Sequence, residues 1–251
     1  MVFAALPWER RAVSRALGAK AAPIRPRTWA IRFAGGRSGI LLETGIGVSR
    51  AREAALAAPT AKAWLAMGCA GALVGWLRRG QGIVANEVVV LDAAGGVVER
   101  LGAVGTPLAE MAARHGVRML EGAIAGSPAV LATAEAKAAV AAASGALVVD
   151  MESGALADVA RERGIPFHAL RAVLDVAEES LPFGPDLVDE RTGSLRTGRA
   201  IRALAPPARW PAAVRLVRGQ RAATRTLRAM ARVLADDGMP EPAPAWRTVT
   251  A

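Results

Sequence analysis

Short apolar runs alternate with alanine-rich segments of helical composition, and this alternation is the strongest constraint on the fold of the chain. Runs of strand length lie at residues 2–6, 29–33, 39–43, 64–67, 83–91, 119–124, 146–149 and 167–173. Segments of helical composition lie at residues 49–58, 107–115, 133–143 and 153–163. Strands that alternate with helices bury both faces of a sheet, so the pattern predicts an α/β fold with helices on both sides.

The chain is long enough for one large domain or two small ones, and no internal linker rich in serine, glycine and proline divides it. We therefore expect one domain. Hydrophobic residues make up 53% of the 251 residues, but no apolar run approaches the roughly 20 residues that a membrane-spanning helix needs. The start of the chain, MVFAALPWERR, has an apolar run too short for a signal peptide. A cytoplasmic protein is expected.

The cysteine and histidine content and the net charge limit the kinds of site and partner that the sequence predicts. Cys69 is the only cysteine, and His115 and His168 are the only histidines, so neither a disulfide framework nor a metal site is expected. The net charge of +10 predicts attraction to an acidic partner, such as nucleic acid, anionic lipid or phosphate. Nucleic-acid binding rests on charge alone, because the sequence contains no recognition motif and no interleaved aromatic residues.

Carboxylates follow three of the predicted strands. The run at 146–149 leads into Asp150 and Glu152, Asp175 ends the run that begins at residue 167, and Glu9 follows the first strand. Open α/β sheets bind ligands at this edge, where an acid in a semi-apolar cleft keeps its proton and can donate it to a leaving group. The alternative for Asp150 and Glu152 is that they only stabilise the start of the following helix.

Three glycine-bearing segments, at residues 44–47, 68–71 and 125–128, are predicted to form turns after strands. Glycine allows backbone amides to approach an anion or a sugar closely, because it has no side chain. Each turn is also compatible with a purely structural role.

The segment 211–236 is predicted to form an amphipathic helix. At about 100° per residue, one face carries Arg215, Arg218, Arg221, Arg225, Arg228 and Arg232. The opposite face carries Leu216, Ala223, Leu227, Met230 and Leu234. Either the helix packs on the domain with a solvated basic side, or that side contacts an anionic membrane. The domain would then span residues 1–236, and the proline-rich residues 237–251 are expected to be disordered.

Several motifs form a joint pattern along the first 182 residues. They are ALPWE (5–9), ETGIG (43–47), GCAGAL (68–73), VVDMES (148–153) and GIPFHALRAVLD (164–175). In kind and order they resemble the purine nucleoside phosphorylase and nucleosidase superfamily, whose members cleave the bond between a base and ribose. The resemblance implies a single-domain, three-layer α/β sandwich with a central mixed, partly barrel-like sheet flanked by helices.

Three further features are most similar to hopanoid-associated phosphorylases, which release adenine from adenosylhopane during hopanoid side-chain synthesis. They are SPAVLATAEAKAA (127–139), ESLP (179–182) and the arginine-rich C-terminal helix. The resemblance implies a lipid-linked nucleoside substrate, and docking of the basic helix on the anionic inner face of the membrane would bring the site to such a substrate. Relatives with the same chemistry act on small nucleosides, namely methylthioadenosine, adenosylhomocysteine or futalosine, and they remain the alternative.

The resemblance also implies roles for individual residues. Glu152 would accept hydrogen bonds from the ribose hydroxyls, and Met151 would pack against the sugar. Asp175 would protonate, or hydrogen-bond, N7 of adenine, and Glu9 would activate water in a hydrolytic enzyme. The base pocket would include Val130 and Phe167, with Trp8 as another stacking residue. The ribose or phosphate side would include Gly45, Gly47, Gly68, Cys69, Ala70 and Gly71, with Arg50 and Arg171 as anion partners.

The sequence departs from the family pattern at three places. Leu174 stands where many relatives have a serine, and Ala129 falls near the position of an aromatic residue that stacks on adenine. The phosphate-binding GDPxR type of turn is absent after the first strand. The nucleophile, phosphate or water, therefore stays open. Phosphate would be a co-substrate in the first case, no other cofactor is expected, and the resemblance implies a homo-oligomer.

Overall fold

The computed structural model describes residues 1–19, 22–103, 106–182, 188–189, 193–195 and 205–240. Its strands are β1 (Val2–Ala4), β2 (Thr28–Arg32), β3 (Ser38–Glu43), β4 (Trp64–Ala72), β5 (Gly82–Leu91), β6 (Val97–Gly102), β7 (Met119–Gly126), β8 (Val148–Asp150), β9 (Phe167–Asp175), β10 (Val188–Asp189) and β11 (Ser194–Leu195). Its helices are α1 (Pro7–Ala16), α2 (Val48–Ala57), α3 (Thr106–Arg114), α4 (Ala134–Ser144), α5 (Ser153–Glu162) and α6 (Trp210–Asp237), with 3-10 turns at Ala34–Gly36 and Pro207–Arg209.

The helix α1 and the strand β6 are among the elements that are not evident in the sequence pattern. The helix α1 begins at Pro7, whose fixed φ suits a first helical turn, but its arginines obscure the short buried stripe that contains Ala12 and Val13. The strand β6 lies at the edge of the sheet and exposes Val97 and Val98. It therefore lacks the alternation of buried and exposed positions that marks a half-buried strand.

Nine of the strands among the described residues form one mixed sheet, in which eight follow the order β2-β3-β1-β4-β8-β7-β5-β6. The strand β9 lies off this path, because it pairs parallel with β4 and antiparallel with β5. These pairings close β4, β8, β7, β5 and β9 into a ring. The predicted α/β fold, with a mixed and partly barrel-like sheet flanked by helices, is confirmed.

Helices cover both faces of the sheet. On one face, α2 and α5 contribute Ala55, Leu156 and Val159 to the core. On the other face, α1, α3 and α6 contribute side chains such as Val13 and Leu227. In the described parts of the chain, no helix has both the length and the apolar character needed to cross a bilayer.

The C-terminal helix α6 has one buried side and one basic side. Ala223, Leu227, Met230 and Leu234 are fully buried, and Leu216 is partly buried. The arginines Arg215, Arg218, Arg221, Arg225 and Arg232 are exposed, and Arg228 is partly exposed. The helix ends at Asp237, and most of the tail expected to be disordered, residues 241–251, lies outside the described residues.

The segment 68–71, expected to form a turn, instead belongs to β4, which continues to Ala72. The strand is held on both sides at this point, by β9 along one edge and by the end of β8 along the other. Its register with β9 shifts between Ala70 and Gly71. Because of this pairing, the segment forms a strand and not the turn that its glycines predicted. Its small side chains leave room for carboxylates on neighbouring elements.

Gly126 ends β7 and lies against the start of α5. A Cβ added to Gly126 would lie 2.7 Å from the backbone nitrogen of Gly154, so Gly126→Ala is expected to destabilise the fold by about 2 kcal/mol through overpacking. Gly154→Ala is the matched control, because its Cβ would meet its nearest neighbour at 3.6 Å and alanine favours a helix. Urea unfolding measures both variants, and equal midpoints would contradict the expected close contact.

Candidate active site

The end of β1, the second half of β4 and the ends of β8 and β9 surround a cavity of about 400 Å³. Most of its wall is apolar and comes from side chains such as Leu6, Trp8, Ile46, Val130, Leu131, Met151, Leu174, Leu181 and Leu216. Its ionisable groups are Glu9, Asp150, Glu152, Asp175, Cys69 and Lys137. Four carboxylic acids in an apolar cavity suit chemistry that moves protons and stabilises positive charge.

Glu9 is 2% exposed, and three backbone amides donate to its carboxylate. Its Oε2 accepts the N–H groups of Ala5 at 3.1 Å and Leu6 at 2.9 Å, and its Oε1 accepts the N–H of Cys69 at 2.7 Å. Burial raises the pKa of Glu9, and the amides of Cys69 and Leu6 oppose that rise. A Cβ on Gly68 would lie 3.0 Å from Oε1, so that glycine leaves room for the carboxylate.

Asp150 lines the cavity and also belongs to a buried hydrogen-bonded network. Its Oδ1 accepts the backbone N–H of Ser153 at 3.1 Å, and its Oδ2 accepts the hydroxyl of Ser153 at 2.7 Å. Arg171 pairs with Asp150 through Nε and donates from a second nitrogen to the Ser153 hydroxyl at 2.8 Å. Asp150 therefore stabilises the start of α5, in the manner of a helix cap, and neutralises a buried arginine.

Glu152 joins the glycine segment after β3 to the start of α5. Its Oε1 accepts the N–H of Gly47 at 2.8 Å. Burial, together with the negative charge of Asp150, raises the pKa of Glu152 to about 8. At neutral pH, this side chain therefore favours its protonated form.

Asp175 ends β9 and forms an ion pair with Lys137 of α4. Both side chains are buried, with 8% of the Asp175 side chain and 1% of the Lys137 side chain exposed. Burial raises the pKa of Asp175, and the Lys137 ammonium opposes this rise. A Cβ on Gly71 would lie 3.2 Å from Oδ2 of Asp175, so the bulged part of β4 makes room for this acid.

The structure brings most of the predicted site residues to one cavity. Its lining includes Glu9, Cys69, Ala70, Gly71, Val130, Met151, Glu152 and Asp175. Trp8, the further stacking candidate, lies there too. The long-range pairing of strands brings these residues together, although they are far apart in the chain.

Other predicted residues lie away from the cavity lining. Phe167 is 1% exposed and belongs to the core between the sheet and helices α2 and α5. Arg171 is engaged by Asp150, and Arg50 pairs with Glu53 on an exposed part of α2. Gly45, Gly47 and Gly68 do not line the main cavity, although Gly47 and Gly68 contact Glu152 and Glu9 respectively.

Sequence reasoning missed Lys137 and the contribution of α6. Lys137 lies inside the stretch 127–139, but a single lysine in an alanine-rich helix gives no local sign of burial. Leu216 and Gln220 of α6 also line the cavity, although the sequence pattern shows only the amphipathic character of their helix. Both contributions depend on long-range packing.

The family model described as the Phosphorylase superfamily matches residues 1–204. The chain belongs to this superfamily. Together with the fold and the acid-lined cavity, this membership identifies it as an enzyme that acts on N-ribosyl bonds. No functionally curated protein matches the chain significantly.

Several solved nucleosidase structures share the fold. The 5′-methylthioadenosine/S-adenosylhomocysteine nucleosidase of Helicobacter pylori is 18% identical, with a TM-score of 0.67 over 91% of this chain and 95% of that one. The futalosine hydrolase of the same organism gives the same values. The nucleosidase of Neisseria meningitidis, in complex with methylthio-immucillin-A, is 21% identical, with a TM-score of 0.67 over 93% of this chain and 97% of that one. At these identities the likeness concerns the fold.

Proposed function

We propose that the enzyme hydrolyses the bond between adenine and ribose in an adenosyl compound, and that this compound is adenosylhopane. The observation that carries the proposal is the combination of Glu9, Glu152 and Asp175 in one largely apolar cavity. This reaction needs a general acid that protonates the leaving adenine, a hydrogen-bond acceptor for the ribose hydroxyls, and a general base that activates the nucleophile.

The proposed reaction divides the chemistry among the three acids. Asp175 donates a proton to N7 of adenine, which makes the base a better leaving group as positive charge develops on the ribose. Glu152 accepts hydrogen bonds from the ribose hydroxyls once the bound sugar favours its ionised form. Glu9 takes a proton from water, whose oxygen then bonds to C1′ of the ribose. The products are adenine and the ribosyl compound.

Charge supports water, rather than phosphate, as the nucleophile. The carboxylic acids that line the cavity offer a phosphate dianion no stabilising positive charge, whether or not they hold their protons. Among the described residues of the lining, Lys137 is the only cation, and its three N–H groups already meet Asp175 and the carbonyls of Val176 and Glu179. Arg171 is likewise paired, with Asp150.

The apolar wall supports a substrate with an apolar substituent on its ribose. Leu181 and Leu216 come from the segment after β9 and from α6 respectively, and both contribute to the apolar wall. A hydrocarbon group gains about 25 cal/mol per Å² of apolar surface that it buries. A hopanoid tail suits such a surface better than a charged amino-acid group does.

A small nucleoside is the second candidate substrate. Methylthioadenosine, adenosylhomocysteine or futalosine would use the same three acids, and the similar solved structures include nucleosidases and hydrolases for such compounds. A methylthio group is also apolar, so the wall alone does not separate it from a longer hydrocarbon.

Adenine release from adenosylhopane in detergent and from methylthioadenosine, each with and without phosphate, tests the proposal. We expect release from the lipid at a rate that does not depend on phosphate. A strict phosphate requirement would overturn the hydrolytic mechanism, and release only from methylthioadenosine would overturn the lipid substrate. Release from neither compound would overturn both substrate assignments.

We also propose that α6 docks the enzyme on the inner, anionic face of the membrane. Trp210, Val214 and Val217 are 60%, 49% and 46% exposed. At about 100° per residue they share a face with Arg218 and Arg221. Apolar side chains that enter the lipid interface, next to arginines that pair with its headgroups, form a typical peripheral anchor. This face lies on the same helix as Leu216 and Gln220 of the cavity wall.

The protein is expected to sediment with vesicles rich in anionic lipid at low salt and to be released at high salt, because screening weakens exposed charge interactions. Replacing Arg218, Arg221 and Arg225 together with alanine should weaken binding about 100-fold, at about 1 kcal/mol for each arginine. Two substitutions of exposed apolar residues test the apolar contribution. Trp210→Ser on α6 is expected to weaken vesicle binding, and the control Val98→Ser on β6 is expected to leave it unchanged. Absence of vesicle binding by the unaltered protein at low salt would remove this role from α6.

A further inference from the structure

Lys137 is a buried lysine whose three N–H groups all meet acceptors. Besides its ion pair with Asp175, its Nζ donates to the carbonyl of Val176 at 2.9 Å and to that of Glu179 at 2.8 Å. An ammonium bound in three directions has a fixed position, because its burial requires that each N–H group meets an acceptor. Asp175 provides one of these acceptors, so the positions of the two side chains depend on each other.

The helix α4 directs Lys137 toward the cavity. The helix begins after Thr133, whose hydroxyl accepts the N–H of Ala136 at 3.2 Å. Lys137, Val140 and Ser144 are its buried residues, and their spacing places them on one face. Lys137 therefore enters the site from a well-anchored helix, on the side of Asp175 that faces the segment after β9.

The other charges near Asp175 have their own partners. Glu179 pairs through its carboxylate with Arg79 and with Arg215 of α6. Among the described residues, Lys137 is the one that donates a hydrogen bond to the Asp175 carboxylate, and it contacts Oδ2. Oδ1 is therefore left for a ligand, and Glu9 and Glu152 lie in the lining of the same cavity.

We propose that Lys137 is a positioning residue for protonation of the leaving group: it holds Oδ2 of Asp175, leaves Oδ1 to the adenine, and stabilises the carboxylate that forms when the proton moves to N7. The inference rests on the proposed function, since it assumes that Asp175 is the acid. A fixed cation beside a developing negative charge stabilises the transition state without reorganisation.

The pH dependence follows from the same contact. The reaction needs protonated Asp175, so activity falls when pH rises through the pKa of that group. Because Lys137 opposes the rise in the pKa of Asp175, its removal moves the pKa, and with it the alkaline limb of the kcat/KM profile, to higher pH. Asp175 then holds its proton more firmly, and transfer to N7 slows.

Lys137→Met tests the inference, because methionine is unbranched and apolar and fits a buried site without a charge. The rates to compare are adenine release from the accepted nucleoside and nitrophenolate release from the 4-nitrophenyl riboside with the same 5′ substituent. Nitrophenolate leaves without protonation. We expect the ratio of adenine release to nitrophenolate release to fall at least about 10-fold, with the alkaline limb shifted upward.

A merely structural role for Lys137 would lower both rates equally and leave the limb in place, and this result would overturn the inference. Asp175→Asn distinguishes a failure of this inference from a failure of the proposed function. If it lowers the ratio while Lys137→Met does not, the inference fails and the proposed function stands. If Asp175→Asn leaves both rates unchanged, the proposed function itself fails. Should Lys137→Met not fold, Lys137→Gln replaces it, and an unchanged ratio in that variant overturns the inference.

Discussion

Asp175→Asn is expected to lower kcat for adenine release by about 1000-fold, within the range that a positioned general acid contributes. The amide can still accept a hydrogen bond from Lys137, but it has no acidic proton to give to N7. Adenine would then leave as a poorly stabilised anion, while the wall of the cavity would keep its shape. Adenine release under saturating substrate measures the effect.

The matched control for this change is Glu43→Gln. Glu43 also ends a strand, β3, but it pairs with Arg10 and lies outside the cavity lining. Its substitution should change kcat less than about twofold, because a partly exposed ion pair contributes little. Thermal unfolding of both variants establishes that they are folded. An Asp175→Asn enzyme within tenfold of the unaltered protein would show that Asp175 is not the acid.

Glu152→Gln is expected to lower kcat/KM by about 100-fold. The amide offers one acceptor atom to the ribose hydroxyls, and it lacks the charge that stabilises a cationic sugar. Hydrogen bonds to charged groups are worth about 1.5–3 kcal/mol, which corresponds to this loss. Initial rates at low substrate concentration measure it, and an unchanged kcat/KM would remove Glu152 from the ribose site.

The same substitution should alter the pH dependence of stability. The unfolded side chain titrates near pH 4.3, whereas the pKa of buried Glu152 is about 8. Between these values the folded protein keeps a proton that the unfolded chain has released. The free energy of unfolding therefore falls as pH rises, by up to about 1.4 kcal/mol per pH unit from this group.

Glutamine cannot ionise, so Glu152→Gln should flatten this slope and give a higher Tm than the unaltered protein at pH 8.5. Some slope should remain, since burial also raises the pKa values of Glu9 and Asp175. Thermal unfolding between pH 5 and pH 9 makes the comparison. Parallel curves for the two proteins would contradict a strongly raised pKa at Glu152.

The sequence alone determined the features that are local or periodic. Alternating apolar runs predicted the α/β class, and the acids after those runs marked Glu9, Glu152 and Asp175 as candidates for one site. The three- and four-residue spacing of arginines predicted the basic side of α6. Each of these follows from the repeat of a strand or a helix, which a short window of residues contains.

Tertiary structure alone decided which side chains meet. Arg171 pairs with Asp150 and not with a bound anion, and Phe167 lies in the hydrophobic core. Lys137 contacts Asp175. The tertiary structure also makes the segment 68–71 part of a strand, because β9 and β8 pair with β4 there. These contacts join residues far apart in the chain, and their energies depend on burial and on partners that exist only after the ring of strands closes. Lys137 becomes part of the site because α4 packs beside Asp175, and no local sequence pattern predicts that packing.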